Sequence, residues 1–377
     1  MRDAGMTTME VKKINRSRVY QTIYAERSLS KQEIALKLQM GLTTVTQNLK
    51  ALEEEGLICR GGYFASTGGR KAQAIEIVKN ARTAVGVFIL KKKVLLTAVD
   101  LYGDLLGQKE VGMEFVPADG YYRQLGQEVT QFARSLEPAS ARISGVGVAI
   151  QGIISPDGSA VKYGKLLQHT GLTAEDLTRY IPYDCLLEHD SKAAARAEIW
   201  KRPALRDAVV LLMNKNLGSA LVIGGEVHGG KSMHSGTMEH MCVVPDGREC
   251  YCGGKGCLES YVSADSLRRE INGQDFEAFF AAVRSGEPES SAVWERYLAV
   301  LADAIRNINT VIDCDIILSG YLAPYFTEQD LETLKGKVTA LPFFADRDFS
   351  VTLGQYGELA PAIGAALPFV RKSLAEI

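Results

Sequence analysis

The 377-residue chain contains no run of about 20 apolar residues, the length a helix needs to cross a membrane. Its opening, MRDAGMTTMEVKKINRSR, has neither an apolar core nor a small-residue cleavage site of the kind a secretory signal carries. Cysteine is scarce: seven residues, an odd number, of which Cys59, Cys185, Cys242 and Cys314 stand apart from the remaining three. That pattern does not make a disulfide framework and suits a reducing compartment. Neither sign of charge is in excess, since 43 basic and 45 acidic side chains leave a net charge of −2. Low-complexity segments and short tandem repeats are also lacking. The expectation is a cytoplasmic globular protein of two or three domains with a sizeable core and no membrane partner.

The charge is unevenly placed. Residues 1–80 hold 13 basic and 8 acidic side chains, against 30 and 37 in the remainder. A basic block on an acidic body points to a polyanion contact confined to the N-terminal part. In that block Ser30 and Glu33 have capping-box spacing, and Ile34 and Leu38 share a helical face. Gly41 is placed to turn the chain, and Val45, Leu49 and Leu52 then form an apolar stripe ended by Gly56. Val19, Tyr20, Ile23 and Tyr24 offer the buried side of an earlier helix. Three helices with a tight turn between the second and third make a helix-turn-helix. LICRGGYFAS reads as a hairpin turning at Gly61-Gly62, which gives the winged variant.

Hydroxyls, an amide and a lysine are side chains that major-groove reading uses. The candidate contacts to double-stranded DNA are Ser30 and Lys31 at the second helix and Thr43, Thr44, Thr46, Gln47 and Lys50 on the third. Arg60 and Arg70 in and after the wing are placed to reach phosphates. A small helical domain used for protein contacts is the alternative reading.

After a Gly-rich joint, STGGRKA, the pattern changes. TAVGVFIL, VLLTAVDL and LLGQKEV read as strands, followed by the strand ISGVGVAI, a short helix from Thr173, the strand DCLLEHD and a helix capped by Ser191. The sequence then restarts with DAVVLLMN and SALVIGGEV, a GGEVHGG turn, helices including AVWERYLAVLADAIRNINTVI, the strands DIILSG and FSVTLG, and a terminal helix. Two similar α/β lobes with a ligand cleft between them are expected. Within the second, His240, Cys250, Cys252 and Cys257 give His-x9-Cys-x-Cys-x4-Cys, a tetrahedral Zn²⁺ set interleaved with glycines. Four protein ligands leave no open position, so the zinc would be structural. Reduced cysteines without a metal, or Cys242 as a competing ligand, are the alternatives.

The segment resembles the signature of the ROK family (repressor, open reading frame, kinase). That signature is Gly-Glu-x-Gly-His and, after a spacer, Cys-x-Cys-Gly-x-x-Gly-Cys-x-Glu, against GTMEHM and CYCGGKGCLE here. The winged helix-turn-helix, the STGGRKA joint and AIGAAL are similar to the repressor branch. The resemblance implies a winged helix-turn-helix at 1–80 and two actin/hexokinase-like (ribonuclease-H-like) lobes. The first spans 81–200 and is completed by the helix 359–377; the second spans 201–358 and carries the zinc knuckle.

It also implies sugar in the cleft. Asp190 matches a sugar-binding or catalytic aspartate, His240 would serve both metal and sugar, and Glu259 would be a further sugar contact. Departures fall at the same place: His189 stands for Asn, Thr237 for Glu, Glu239 for Gly and Gln151 for a common Pro. Family kinases carry Asp-x-Gly-Gly-Thr in the first hairpin. This chain has VGVFILKKKV, with Phe88 at the aspartate's place, so neither ATP nor a catalytic residue is expected. The resulting expectation is a sugar-controlled repressor, a homodimer or dimer of dimers on a palindromic operator. A sugar kinase with an appended DNA-binding domain and a ligand-independent regulator are the alternatives.

Overall fold

The computed structural model describes residues 7–64, 71–136, 142–346 and 348–377. At the N-terminal end, α1 (Thr8–Glu26) is followed by β1 (Ser28–Leu29), α2 (Lys31–Leu38), α3 (Leu42–Glu54), β2 (Ile58–Tyr63) and β3 (Gln73–Ile77). Ser30 caps α2 as its spacing predicts: its hydroxyl accepts from Glu33 N and Glu33 returns to Ser30 N. Ile34, Val45, Leu49 and Leu52 are buried together with Val19, Tyr20 and Ile23 of α1.

Two local expectations fail here. The turn between α2 and α3 is made by Gln39 in the left-handed region (φ 53°), while Gly41 is the extended N-cap of α3. Gly61 and Gly62 do not turn a hairpin. They lie inside β2, where an extra residue bulges between Arg60 and Tyr63, and the return strand is β3, some ten residues on in QAIEI. Residues 65–70, Arg70 among them, lie outside the described residues.

The first lobe has β4 (Arg82–Ile89), β5 (Lys93–Val99), β6 (Leu105–Gly112), α4 (Asp119–Ser135), β7 (Arg142–Ile150), β8 (Ile153–Ile154), β9 (Val161–Tyr163), α5 (Ala174–Thr178), β10 (Cys185–His189) and α6 (Asp190–Lys201). The second has β11 (Ala208–Met213), β12 (Leu217–Ile223), β13 (Glu226–His228), α7 (Glu259–Val262), α8 (Ala264–Glu270), α9 (Phe276–Arg284), α10 (Pro288–Val311), β14 (Asp315–Ser319), α11 (Glu328–Thr339) and β15 (Val351–Leu353), before the terminal α12 (Ala360–Glu376).

The two five-stranded sheets have one plan. In each, three consecutive strands form an antiparallel meander, and two later strands add in parallel beside the first of them: β10-β7-β4-β5-β6 and β15-β14-β11-β12-β13. EVH, expected as turn, is the third meander strand, because Gly224 and Gly225 (φ 62° and 82°) supply the two left-handed residues of a tight hairpin. The helix expected with Ser191 as its cap starts two residues earlier, with His189 as N-cap and Asp190 as its first residue.

Helices α6 and α12 pack against each other, and α12 lies on β4 and β7. This closeness requires glycine. A Cβ on Gly86 or Gly147 would collide with the carbonyls of Ala362 and Ala365, and one on Gly364 with that of Ala193. α6 also meets β12 of the second lobe, so it stands between the sheets. The N-terminal domain is not hung on a free joint. Its core residues Tyr20, Ile23 and Leu52 belong to one apolar cluster with Val99, Leu101, Ile363 and Phe369 of the first lobe. Tyr24 stacks on Tyr102 (4.8 Å between centroids, 20° between planes), and the Arg27 guanidinium lies 3.5 Å over the Tyr102 ring. Trp200, at the far end of α6 from Asp190, donates its indole N–H to Tyr102 O at 2.7 Å.

Candidate functional site

A cavity of about 380 Å³ opens where the lobes face one another. The end of β10 and the start of α6 bring His189 and Asp190 to it, the β11–β12 turn brings Asn216, and the segment after β13 brings Thr237, Glu239 and His240. Of the residues predicted from sequence, Gln151, His189, Asp190, Thr237 and His240 line this cavity. Glu259 does not. It is buried behind the wall, where Oε1 accepts from Asn216 Nδ2 at 2.9 Å and Oε2 from Leu217 N at 2.5 Å. Both oxygens are therefore taken up by the chain, and Glu259 positions Asn216, which does line the cavity. Burial pushes its carboxyl up to about 7.

Asp190 is held by the first turn of its own helix: Oδ1 accepts from Ser191 N at 2.7 Å and from Ser191 Oγ at 3.2 Å. Burial lowers the pKa of His189, so its ring is neutral at pH 7. Glu239, noted in the sequence only as a departure, is a buried wall of the cavity. Its Oε2 meets Ser219 Oγ, which also bonds Gly236 O at 2.6 Å. The same Ser219 oxygen accepts from Met238 N at 2.7 Å. Burial pushes the Glu239 carboxyl up to about 8. Asn216 and Tyr251 also went unnoticed in the sequence. NKNLGSA reads in the sequence as a partly kept second phosphate loop of the family, and Tyr251 sits between two cysteines that dominate the segment.

His240, Cys250, Cys252 and Cys257 converge: their ligand atoms all lie within 4.8 Å of one another. Cys250 Sγ is 3.6 Å from His240 Nδ1, and Cys252 Sγ is 3.7 Å from Cys257 Sγ. A tetrahedral zinc ion with bonds of ~2.3 Å to sulfur and ~2.0 Å to nitrogen has edges of about 3.6 to 3.8 Å, so the donor set fits it. Burial, and after it the neighbouring thiols, push Cys257 up to about 12, and burial also raises Cys250. Such thiols ionise together only when a cation shares the space. Cys242 is exposed and stands outside the group. His240 faces two ways, with Nδ1 to the thiols and Nε2 3.3 Å from the Tyr251 hydroxyl, itself on the cavity wall.

On the N-terminal domain, Lys31, Thr43, Thr46, Gln47 and Lys50 are exposed and Thr44 is half-buried. Lys31, Thr46, Lys50, Arg60 and Lys71 rim a groove of about 500 Å³ between α3 and the wing. Two expected contacts are otherwise engaged. Ser30 is buried as the cap of α2, which ties its hydroxyl to the helix. Arg60 grips Glu53 with two hydrogen bonds, at 2.9 and 3.1 Å. The Thr46 hydroxyl donates to Leu42 O at 2.6 Å.

With this geometry in hand, the pattern of the ROK family matches residues 84–372, and that of a winged helix-turn-helix DNA-binding domain matches residues 13–58. The chain is similar to the DNA-binding transcriptional dual regulator NagC of Escherichia coli strain K12, at 27% identity over 267 residues. That match covers 69% of this chain and 65% of NagC, just under two thirds of that protein's length. Among solved structures, a ROK family transcriptional regulator homologous to the E. coli MLC protein aligns over 97% of this chain and 96% of its own, with TM-score 0.72 and 19% identity. A ROK family glucokinase from Streptomyces griseus, in complex with glucose and AMPPNP, aligns over 76% of this chain and 98% of its own, with TM-score 0.67 and 20% identity. At these identities the two structures establish the fold alone. No helix among the described residues is long and apolar enough to cross a membrane.

Proposed function

The chain belongs to the ROK family, and from that premise we propose that it is a DNA-binding transcriptional repressor whose operator affinity is set by a sugar in the cleft. The reading divides it into a DNA-binding domain at 1–80, a first lobe at 81–200 with the terminal helix 359–377, and a second lobe at 201–358. Two copies would place their α3 helices in successive major grooves of a palindromic operator, as a dimer or a dimer of dimers in the cytoplasm. Thr43, Thr44, Thr46, Gln47 and Lys50 would read bases, and Lys31, Arg60 and Arg70 would reach phosphates.

The observation that carries the reading is the connection between the two ends. α6 begins at the cavity with Asp190 and carries Trp200 in its last turn, which holds Tyr102 under Tyr24 and Arg27 of the N-terminal domain. A sugar that prefers one arrangement of the lobes then shifts the spacing of the paired α3 helices and with it the DNA affinity. Asp190, Gln151, His189, Thr237 and His240 would bond its hydroxyls, with Asn216 held ready by Glu259.

His240, Cys250, Cys252 and Cys257 would hold one structural Zn²⁺, which supplies rigidity and thiolate neutralisation rather than reaction chemistry. His240, whose Nδ1 lies on the thiol side, would bind that ion through it and keep Nε2 toward the cavity side. The test is selection of bound DNA from a random pool, followed by anisotropy on the selected site. A defined palindrome, bound by wild type and discriminated less by Gln47→Ala, supports the reading; no enrichment contradicts it.

Asp190 in the cleft favours a second reading, a sugar kinase. The first hairpin, FILKKKV, offers no glycine for a phosphate, and Phe88 is fully buried. ADP release over a panel of hexoses tests this reading, and none is expected.

A further inference from the structure

Cys242 stands two residues after His240 and outside the metal set. It faces Cys257 across an isolated antiparallel bridge. Val243 N donates to Gly256 O at 2.8 Å and Leu258 N to Met241 O at 2.9 Å. Each bond thus runs from the residue after one cysteine to the residue before the other. Cys242 and Cys257 are therefore a non-hydrogen-bonded pair, the closer of the two antiparallel kinds. Such a pair has Cα atoms about 4.5 Å apart and both side chains on one face.

A disulfide needs Cα atoms about 4.4 to 6.8 Å apart and Cβ vectors that do not diverge, and a pair of this kind meets both conditions. Cys242 Sγ also lies close to the opposite strand: a Cβ on Gly256, the residue before Cys257, would be 3.2 Å from it. Glycine at 256, with φ 72°, lets the strands approach, since the same Cβ would collide with Val244 O. The thiols of this segment differ in access. Cys242 is exposed, whereas Cys250 and Cys257 are buried and, with Cys252, belong to the metal set.

We propose that Cys242 and Cys257 form a redox switch: a hydroperoxide joins them in a disulfide, which withdraws one of the four metal ligands. This rests on the zinc reading above. The exposed Cys242 sulfur attacks hydrogen peroxide first. An S–O bond forms, the O–O bond breaks, and Cys242 becomes a sulfenic acid as one water leaves. The Cys257 sulfur then attacks that of Cys242. The S–S bond forms, the S–O bond breaks, and the leaving hydroxide takes a proton to become a second water. One peroxide is reduced as two cysteine sulfurs are oxidised. His240 shares the metal set and lines the sugar cavity, so opening the knuckle also loosens the cavity wall. In a reducing compartment such a disulfide is transient and acts as a sensor.

The test uses the full-length protein, first assayed for zinc. Hydrogen peroxide is then added in the presence of a chromogenic zinc chelator, and the product is digested with trypsin and mapped by mass spectrometry without reduction. Cleavage after Arg248 and Lys255 puts Cys242, the Cys250 and Cys252 pair, and Cys257 in three separate peptides. Wild type should release its zinc and give a cross-linked pair of the Cys242 and Cys257 peptides, and dithiothreitol with added zinc should reverse both. Cys242→Ser keeps all four ligands, so it should hold one zinc and release it about tenfold or more slowly at the same peroxide concentration. Release from Cys242→Ser at the wild-type rate, or a disulfide joining Cys252 to Cys250 or Cys257 instead, overturns the switch while the zinc reading stands. Protein that holds no zinc before peroxide contradicts the zinc reading and with it the release of metal. The peptide map then decides the disulfide by itself.

Discussion

The α3 face and the cleft carry their polar groups under opposite conditions. On α3, Thr43, Gln47 and Lys50 stand in solvent, and the Lys50–Glu54 contact at 3.7 Å is an exposed pair worth little. In the cleft, Asp190, Glu239 and Glu259 are buried, and Asp190 Oδ1, Glu239 Oε2 and both Glu259 oxygens are tied to named neighbours. On the surface each side chain acts almost alone and salt screens it. In the cleft no group acts alone, so removing one strands another. Substitutions should therefore cost more, and spread further, in the cleft and its zinc knuckle than on α3.

The largest departure is expected at the metal. Cys257→Ser should bring zinc content from one per chain to near zero by atomic emission. A chelator should lower the melting temperature of wild type but no longer that of the variant, because ligand binding and loop folding are one event. Retained stoichiometric zinc in the variant would break the comparison.

Next in size, Asp190→Ala should weaken sugar binding by about 3 kcal/mol, roughly 100-fold, in calorimetry. Affinity for DNA without sugar should stay within a factor of about two, since the two surfaces share no side chain. On α3, Gln47→Ala should cost ~1–3 kcal/mol on the selected operator and nothing on scrambled DNA. Lys50→Ala should weaken both alike and reduce the salt slope by about one. Equal losses on both DNAs for Gln47→Ala would remove it from base reading.

Trp200→Phe sharpens the link between the regions. It should leave each binding event intact and reduce the effect of sugar on DNA affinity severalfold. The smallest effect is expected at Glu198, buried where α6 meets Gln355 N at 3.0 Å. Burial raises its pKa, against the pull of Arg202. The folded state then keeps a proton that the unfolded chain releases near pH 4.5. This part of the stability is present below that pH and falls as pH rises toward the raised value. Glu198→Gln should flatten that decline in melting temperature; an unchanged pH profile would mean the carboxyl ionises freely.

The sequence carried whatever depends on local periodicity or spacing. The apolar stripe Val45-Leu49-Leu52, the Ser30 capping box, the repeated strand meander and the four metal-type ligands all emerge as expected. What it hid depends on distant partners. Gly61-Gly62 has the composition of a turn, but its pairing partner lies in QAIEI, so it became a bulge. Glu259 matches a sugar contact by spacing, yet the β11–β12 turn comes to it first and occupies both oxygens. Asn216 and Tyr251 carry no local signature, because only folding brings them to a cavity.

The central claim is that one chain couples a DNA site to a sugar site, and linkage tests it most directly. Anisotropy on the selected operator, at one fixed salt concentration, gives the factor by which saturating sugar weakens DNA binding. Calorimetry of the same sugar, with and without operator, gives the reverse factor. The account predicts that both exceed fivefold and agree, since coupling free energies of ~1–3 kcal/mol are reciprocal. DNA affinity unmoved by a sugar that demonstrably fills the cleft would contradict it.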